Sequence, residues 1–250
     1  MSGLDAPGTG QGASLLEVRG LRKSFGGNEV IRGFDLTVRT GSVLGLVGAN
    51  GAGKSTIFNL LTGFLSADAG DIRWKGRSIG GLSPRRVARL GIGRTFQDVR
   101  LFERMTVLEN LLVAAEDAMF SRSGRAARRT TAEIADLVGA WPMRDVPAGE
   151  LSYAEQKFVS IGRAMARRPE LLLLDEPASG LDGSSTERLL ELISLQRTLG
   201  TTVVLIEHNL DVVRRAVDEM AFLEFGVVRA YGEPEEIMSR ADLAEAYFGG

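Results

Sequence analysis

Cysteine is missing altogether from the 250 residues, which excludes disulfides and thiolate metal sites. No apolar run approaches the roughly 18 residues that a membrane-spanning helix needs. The first residues also lack the apolar core of a signal peptide. A strong charge of either sign is absent too: 30 Lys and Arg face 32 Asp and Glu, for a net charge of −2. Broad non-specific binding to nucleic acid is therefore not expected, although a local basic patch would fit the same total. These absences predict a chain made and kept in the cytoplasm, with any membrane contact arriving through a partner. Histidine is nearly missing as well, and His208 stands alone. No internal repeat is visible. With 44% hydrophobic and 25% charged residues, the composition is ordinary for one large domain or a domain plus a lobe.

What is present is organised around one stretch, Gly48-Ala49-Asn50-Gly51-Ala52-Gly53-Lys54-Ser55-Thr56. It matches the phosphate-binding pattern G-x-x-x-x-G-K-[ST]. Ser42 to Val47 reads as a short buried strand, and Ser55 to Leu61 opens a helix that Gly63 would end. Glycines let such a loop wrap closely, because a Cβ would collide with the ligand or forbid the needed dihedrals. Backbone N–H groups and the helix N-terminus then face the phosphates. Lys54 brings a positive charge to the β- and γ-phosphates, and Ser55 offers a hydroxyl to Mg2+.

Met1 to Ala13, rich in Gly, Ser, Thr, Ala and Pro, reads as a disordered tail. Leu15 to Arg19 and Val30 to Val38 partly alternate apolar and polar residues and predict an antiparallel pair around Phe25-Gly26-Gly27-Asn28. Phe25, at the turn end, is either a core aromatic or a platform for a nucleobase. Gly70 to Gly76 predicts a strand and turn, Ser83-Pro84 a short helix with Ser83 as cap, and Ile92 to Phe96 a short strand followed at once by Gln97. From Asp98 to about Arg168 helical periodicity dominates, as expected of an inserted helical lobe. Its arginines at 122, 125, 128 and 129 suit a solvated helix face better than a nucleic-acid site. Leu171 to Leu174 and Thr202 to Ile206 read as central strands, Glu219 to Ala230 as two more around Gly226, and Glu233 to Tyr247 as a helical tail. Strands alternating with helices predict a mostly parallel α/β core.

A phosphate loop alone means nucleotide, not reaction. Asp175 and Glu176 add chemistry at a strand end: an Asp there can hold Mg2+, and the next Glu can polarise a water towards the γ-phosphate, unless both merely cap the next segment. Ser152 and Glu155 form a capping box, and the same helix N-terminus is an anion site, so cap and function are compatible. His208 follows a central strand that can end on the same sheet edge as Glu176. It is a candidate to hold the γ-phosphate or orient the water, and Gln97 a candidate to sense Mg2+ or water and relay that state into the lobe.

The order of these elements, phosphate loop, Gln97, Leu151-Ser152, Leu174-Asp175-Glu176, Ser179-Gly180-Leu181-Asp182 and His208, resembles the ATP-binding cassette of ABC transporters over about residues 15 to 250. The resemblance implies a P-loop NTPase (RecA-like) α/β core with a mostly parallel central sheet, an antiparallel β subdomain and an inserted helical lobe. It divides the chain into a tail (1–13), the β subdomain with the first part of the core (14–97), the lobe (98–168), the second part of the core (169–232) and a C-terminal helical tail (233–250). It implies that Phe25 stacks on adenine, that Gly48, Ala49, Asn50, Gly51, Ala52, Gly53, Lys54, Ser55 and Thr56 bind the triphosphate of ATP, and that Mg2+ is held with Ser55, Gln97 and Asp175. It makes Glu176 the catalytic base and His208 the switch histidine, with Gln97 and Lys54 assisting. Ser152 would contact ATP on the opposite subunit, and Asp182 would lie in a loop crossing the dimer interface.

A finer resemblance lies in Gly91 to Gln97, Val99-Arg100-Leu101-Phe102, Met105 to Val113 and the closing Ala246-Tyr247-Phe248-Gly249. These are similar to the G-type ATPases of bacterial branched-chain amino acid importers, and related cassettes serve urea, amides and other small solutes. That likeness implies two transmembrane permease subunits, a second ATP-binding subunit in a homo- or heterodimer, an indirect link to a periplasmic solute-binding protein, no nucleic acid, and a peripheral place on the cytoplasmic face of the inner membrane. One position departs from the pattern: Ala154 stands where Leu-Ser-Tyr-Gly-x-Gln has glycine, and the added methyl bears on the site this subunit completes for its partner. A soluble cassette acting on DNA or ribosomes would need a second cassette, a coiled-coil insertion or a basic extension. A non-hydrolysing regulator would draw support from Ala154 alone.

Overall fold

The computed structural model describes residues 13–115 and 124–243. Arg122, the Arg125 side chain, the closing Ala246–Gly249 motif and all but the last residue of the expected tail lie outside them. Ala13 is tied down: its carbonyl accepts from Thr40 N and Thr40 Oγ1, both at 3.1 Å.

The first strands, β1 (Ser14–Phe25) and β2 (Asn28–Arg39), pair antiparallel around Gly26-Gly27. Both turn residues are left-handed, with φ 54° and 87°, as a two-residue hairpin matched to strand twist requires. Strand β3 (Val43–Val47) leads through the phosphate loop into α1 (Lys54–Leu61). Gly63 ends that helix as expected, with φ 73°. Phe64 N donates to Asn59 O at 2.9 Å and Gly63 N to Leu60 O at 3.2 Å, the paired bonds of a Schellman cap. Strands β4 (Ala69–Trp74) and β5 (Arg77–Ser78) complete a four-stranded antiparallel sheet in the order β2-β1-β4-β5. Helix α2 (Pro84–Arg89) follows, with Ser83 at the N-cap position but no hydroxyl bond to the helix.

Next come β6 (Ile92–Arg94), the helices α3 (Val107–Ala114), α4 (Gly124–Leu137) and α5 (Tyr153–Met165), and β7 (Leu171–Asp175). Then α6 (Gly183–Thr198), β8 (Thr202–Ile206), α7 (Leu210–Ala216), β9 (Glu219–Glu224), β10 (Val227–Gly232) and α8 (Pro234–Met238) close the described chain. The main sheet has six strands in the order β10-β9-β3-β8-β7-β6. Only the β9–β10 pairing is antiparallel.

Alternate residues of the central strands enter two cores. Val43, Leu172, Leu174, Val203 and Leu205 face helices α3 to α7, whereas Leu44, Leu46, Leu171, Leu173, Val204 and Ile206 face α1 and the antiparallel sheet. This explains why the sequence of these strands is continuously apolar: they are buried on both faces. Two boundaries differ from expectation. Strand β6 stops at Arg94: Thr95 N still donates to Leu173 O at 2.9 Å, but Phe96 and Gln97 lie in the loop beyond it. The helical tail breaks after Met238, where Ser239 N and Arg240 N close the last turn. In the lobe, Val107 and Leu111 are buried in the core. Arg128 and Arg129 are exposed, and Arg129 pairs with Glu133 at 3.5 Å, as a solvated helix face would.

Candidate functional site

Parallel strands β3, β8, β7 and β6 all end on one edge of the sheet, so the loops after them gather there. After β3, the phosphate loop folds back against β9. At Gly48 a Cβ would stand 2.1 Å from Leu223 O, so only glycine permits this approach. Gly53 takes φ 106° as the N-cap of α1, which leaves the first helical N–H groups without intrahelical acceptors. Lys54 is buried, and its Nζ spans the loop, donating to Gly48 O at 2.5 Å and Ala49 O at 3.0 Å. Burial lowers its pKa, while the charges of Glu176 and Asp175 oppose that shift. Ser55 is exposed at the start of the helix, and Thr56 is half-buried.

After β7 the chain reverses at Glu176, which adopts a left-handed φ of 48°. Its N–H donates to Ile206 O at the end of β8, 2.9 Å away. Its carboxylate is held on both sides: His208 Nε2 lies 2.9 Å from Oε1, and Gln97 Nε2 donates to Oε2 at 3.1 Å. The lone histidine and the loop glutamine thus meet on one carboxylate, although 79 residues separate Gln97 from Glu176. Gln97 was expected among the metal ligands as well; its amide nitrogen is engaged with Glu176.

Asp175 is 3% exposed beside Arg94, whose Nη2 donates to Asp175 Oδ2 at 3.2 Å. Burial raises the Asp175 pKa, and the Arg94 guanidinium works against that rise. Arg94 is held in turn by Asn59 Oδ1 at 2.7 Å and Thr62 Oγ1 at 3.0 Å, with its guanidinium carbon 4.8 Å from the centre of the Phe96 ring. Asp175 Oδ1 is buried without a hydrogen-bond partner. A carboxylate oxygen in that position, with the Ser55 hydroxyl as a second hard donor, fits Mg2+. Among the described residues no group of three or more His, Cys, Asp or Glu could cage a metal.

Three predicted residues keep other company. Phe25 is 45% exposed at the hairpin end, with Lys23 Nζ 5.6 Å from its ring centre, so it is not a core aromatic. Ser152 caps α5 in a complete capping box: Ser152 N donates to Glu155 Oε2 at 2.8 Å, and its hydroxyl accepts from Glu155 N at 3.4 Å. Asp182 caps α6, accepting from Ser185 N at 2.7 Å and from Ser184 Oγ at 2.9 Å; these bonds hold its carboxyl below the usual range.

Two more charged residues of the site, Lys157 and Glu207, were not singled out from the sequence. Lys157 is buried in α5, and its Nζ donates to the carbonyls of Glu176 (2.7 Å), Pro177 (3.2 Å) and Ser179 (2.5 Å). Glu207 is buried at the end of β8 and accepts from Ala178 N at 2.7 Å and His208 N at 3.1 Å. Its burial raises its pKa. Glu207 stands beside His208, so the pair Glu207-His208 at a strand end was the one available hint.

A phosphate loop running into α1, with a carboxylate pair ending a parallel strand two positions away in the same sheet, defines a P-loop nucleotide-binding protein. The profile of the ABC transporter family matches residues 31–179. The chain belongs to that family. It is 40% identical to the high-affinity branched-chain amino acid transport ATP-binding protein LivG of Salmonella typhimurium over 249 aligned residues, covering 94% of this chain and 98% of the relative. It is as similar, with the same coverage, to the corresponding protein BraF of Pseudomonas aeruginosa. Among solved structures, the ADP conformation of MJ1267, an ATP-binding cassette of an ABC transporter, superposes with a TM-score of 0.86 at 30% identity, covering 95% of this chain and 99% of that one. A dimeric post-hydrolysis cassette, MJ0796 with ADP and Pi, shares the fold with a TM-score of 0.79 at 23% identity, over 88% of this chain and 98% of that one.

Proposed function

We propose that this chain binds and hydrolyses ATP as a subunit of an ABC importer for branched-chain or other hydrophobic amino acids. The observation that carries the hydrolytic part is Glu176, whose carboxylate is fixed between His208 and Gln97 on the sheet edge that also bears the phosphate loop. The solute is inferred from LivG and BraF, which resemble the chain over nearly its whole length.

Two cassettes close head-to-tail around two ATP molecules. In each site the loop Gly48–Thr56 wraps the phosphates, Lys54 balances charge on the β- and γ-phosphates, and Phe25 stacks on the base. Asp175 and Ser55 would hold Mg2+, which when bound adds positive charge against the phosphates. Glu176 accepts a proton from the attacking water and orients it in line with the γ-phosphate. His208 fixes the carboxylate from one side and meets the γ-phosphate from the other. Ser152 and the N-terminus of α5 come from the opposite subunit, adding hydroxyl and N–H donors where charge develops on the transferred group. The pair works from the cytoplasmic face on two permease subunits, by likeness to the transport ATP-binding proteins LivG and BraF, with Gln97 and the lobe reporting the state of the site. The methyl of Ala154 sits half-buried in the first turn of α5 and bears on the efficiency of the site this subunit completes for its partner, not on ATP binding at its own phosphate loop.

Light scattering of Glu176→Gln tests the sandwich. The variant should dimerise with Mg-ATP and remain monomeric without it; a monomer under both conditions would refute a homodimer and direct the same test to a mixture with a second cassette. Uptake of labelled leucine against labelled urea, in cells with and without the chain, separates the solutes.

A further inference from the structure

Lys157 is an unusual residue to bury in the second turn of a helix. An ammonium removed from water needs full compensation, and here all three of its donors go to main-chain oxygens: Glu176 O, Pro177 O and Ser179 O. An aliphatic side chain would fill the same space with less cost, so the cation is retained for what it holds. It holds the backbone of the catalytic segment. Glu176 keeps a left-handed conformation that an L-residue seldom adopts, and its peptide is pinned on both sides, by Ile206 O on the N–H and by Lys157 on the carbonyl. A second contact joins the same two elements. The Tyr153 ring lies on Gly180, where a Cβ would stand 2.7 Å from Tyr153 Cε1, and Lys157 Nζ lies 5.5 Å from the centre of that ring.

The first two turns of α5 therefore grip residues 176–180 at both ends. Those turns begin at Ser152, five residues before Lys157. We propose that Lys157 is a positioning residue that couples the two ATP sites: when the N-terminus of α5 settles on the nucleotide of the partner subunit, Lys157 carries that displacement to the backbone of Glu176 in its own subunit. The inference rests on the head-to-tail dimer proposed above. Each site then reaches its hydrolytic geometry only when the other is occupied, and Glu176 is out of register in a half-filled dimer.

The test compares wild type, Lys157→Met and Lys157→Arg in the complete transporter reconstituted in vesicles, measuring ATP hydrolysis against ATP concentration. Nucleotide affinity and thermal unfolding are measured on each isolated chain. Wild type should show a Hill coefficient between about 1 and 2, the number of coupled sites. Lys157→Met should lower kcat by roughly tenfold to a hundredfold, the scale of a small misplacement of a reacting group, and bring the Hill coefficient to about 1, with ATP affinity of the isolated chain unchanged. Lys157→Arg, which keeps charge and donors, should recover part of both. If the Met variant fails to fold, Lys157→Gln, with two donors, takes its place. A variant with unchanged kcat and Hill coefficient, or one that loses affinity and stability together with activity, overturns the coupling role. Non-cooperative wild type whose Glu176→Gln variant never dimerises overturns the dimer itself.

Discussion

Glu207 shows how a single buried charge is kept in place. With 2% of its surface exposed, its carboxylate relies on N–H donors from Ala178, His208 and Asn209, and on the charge of Lys157 nearby. Burial raises its pKa above the ordinary 4.5 of a glutamate. The folded state therefore holds this proton more tightly than the unfolded chain does. The contribution to stability is full below the ordinary value and is lost as pH rises from there through the raised folded value. Glu207→Gln, which does not titrate, should gain on wild type across that window in urea unfolding. Glu207→Ala should instead lose about 1–3 kcal/mol at neutral pH, because the Ala178 N–H is left buried and unpaired. At this scale the sequence was legible where chemistry demands a residue type at fixed spacing, as at Lys54, Asp175 and Glu176. It was silent on Arg94 and Lys157, whose partners lie 81 and 19 to 22 residues away and whose burial depends on how distant elements pack.

Helices and strands were legible where local signals agree with tertiary packing. Thr106-x-x-Glu109 opens α3 with a complete capping box, Thr106 N donating to Glu109 Oε2 at 2.8 Å. Thr106→Ala should cost about 1 kcal/mol and lower the melting temperature by roughly 2–4 °C in a chain of this size, measured by thermal unfolding. The helix also anchors the segment after Gln97: buried Asn110 accepts from Phe102 N at 2.9 Å and donates to the carbonyls of Phe102, Met105 and Thr106. Nothing in the sequence marks this, since an asparagine inside an apolar helix has no local signature for the loop it serves. Strand β6 was overextended for a related reason. The β-favouring pair Thr95-Phe96 extends the pattern, but Phe96 packs edge-on against Phe64 at 5.5 Å and under Arg94 and Arg100 instead of joining the ladder.

The molecule as a whole is one mostly parallel sheet between two cores, joined to the antiparallel sheet beside the phosphate loop. Gly226 in the β9–β10 turn donates to Ala52 O and accepts from Arg32 N, both at 3.1 Å, so loop, main sheet and hairpin meet at one point. Ligand binding at that junction should stabilise all three. At a hundredfold excess over Kd, Mg-ATP should add about 2.7 kcal/mol, a rise of roughly 5–10 °C in melting temperature by the same scaling. Gly48→Ala, whose methyl would press on Leu223 O, should show no such rise. The alternating pattern of strands and helices made this architecture legible before any coordinates, because doubly buried strands leave a continuous apolar record. The meeting of Gln97 and His208 on the two oxygens of the Glu176 carboxylate was not, since side-chain contacts between loops are set by packing and not written in any one segment.

The contact between His208 and Glu176 also makes the protein its own instrument. Since the chain has a single imidazole, its carbon-bound protons give resonances that need no assignment in a nuclear magnetic resonance spectrum. The ring lies 2.9 Å from the Glu176 carboxylate, so their position reports on that contact. Titrating nucleotide, metal or permease into the unmodified protein and watching that one ring would report the state of the Glu176 environment directly, free of probes and substitutions.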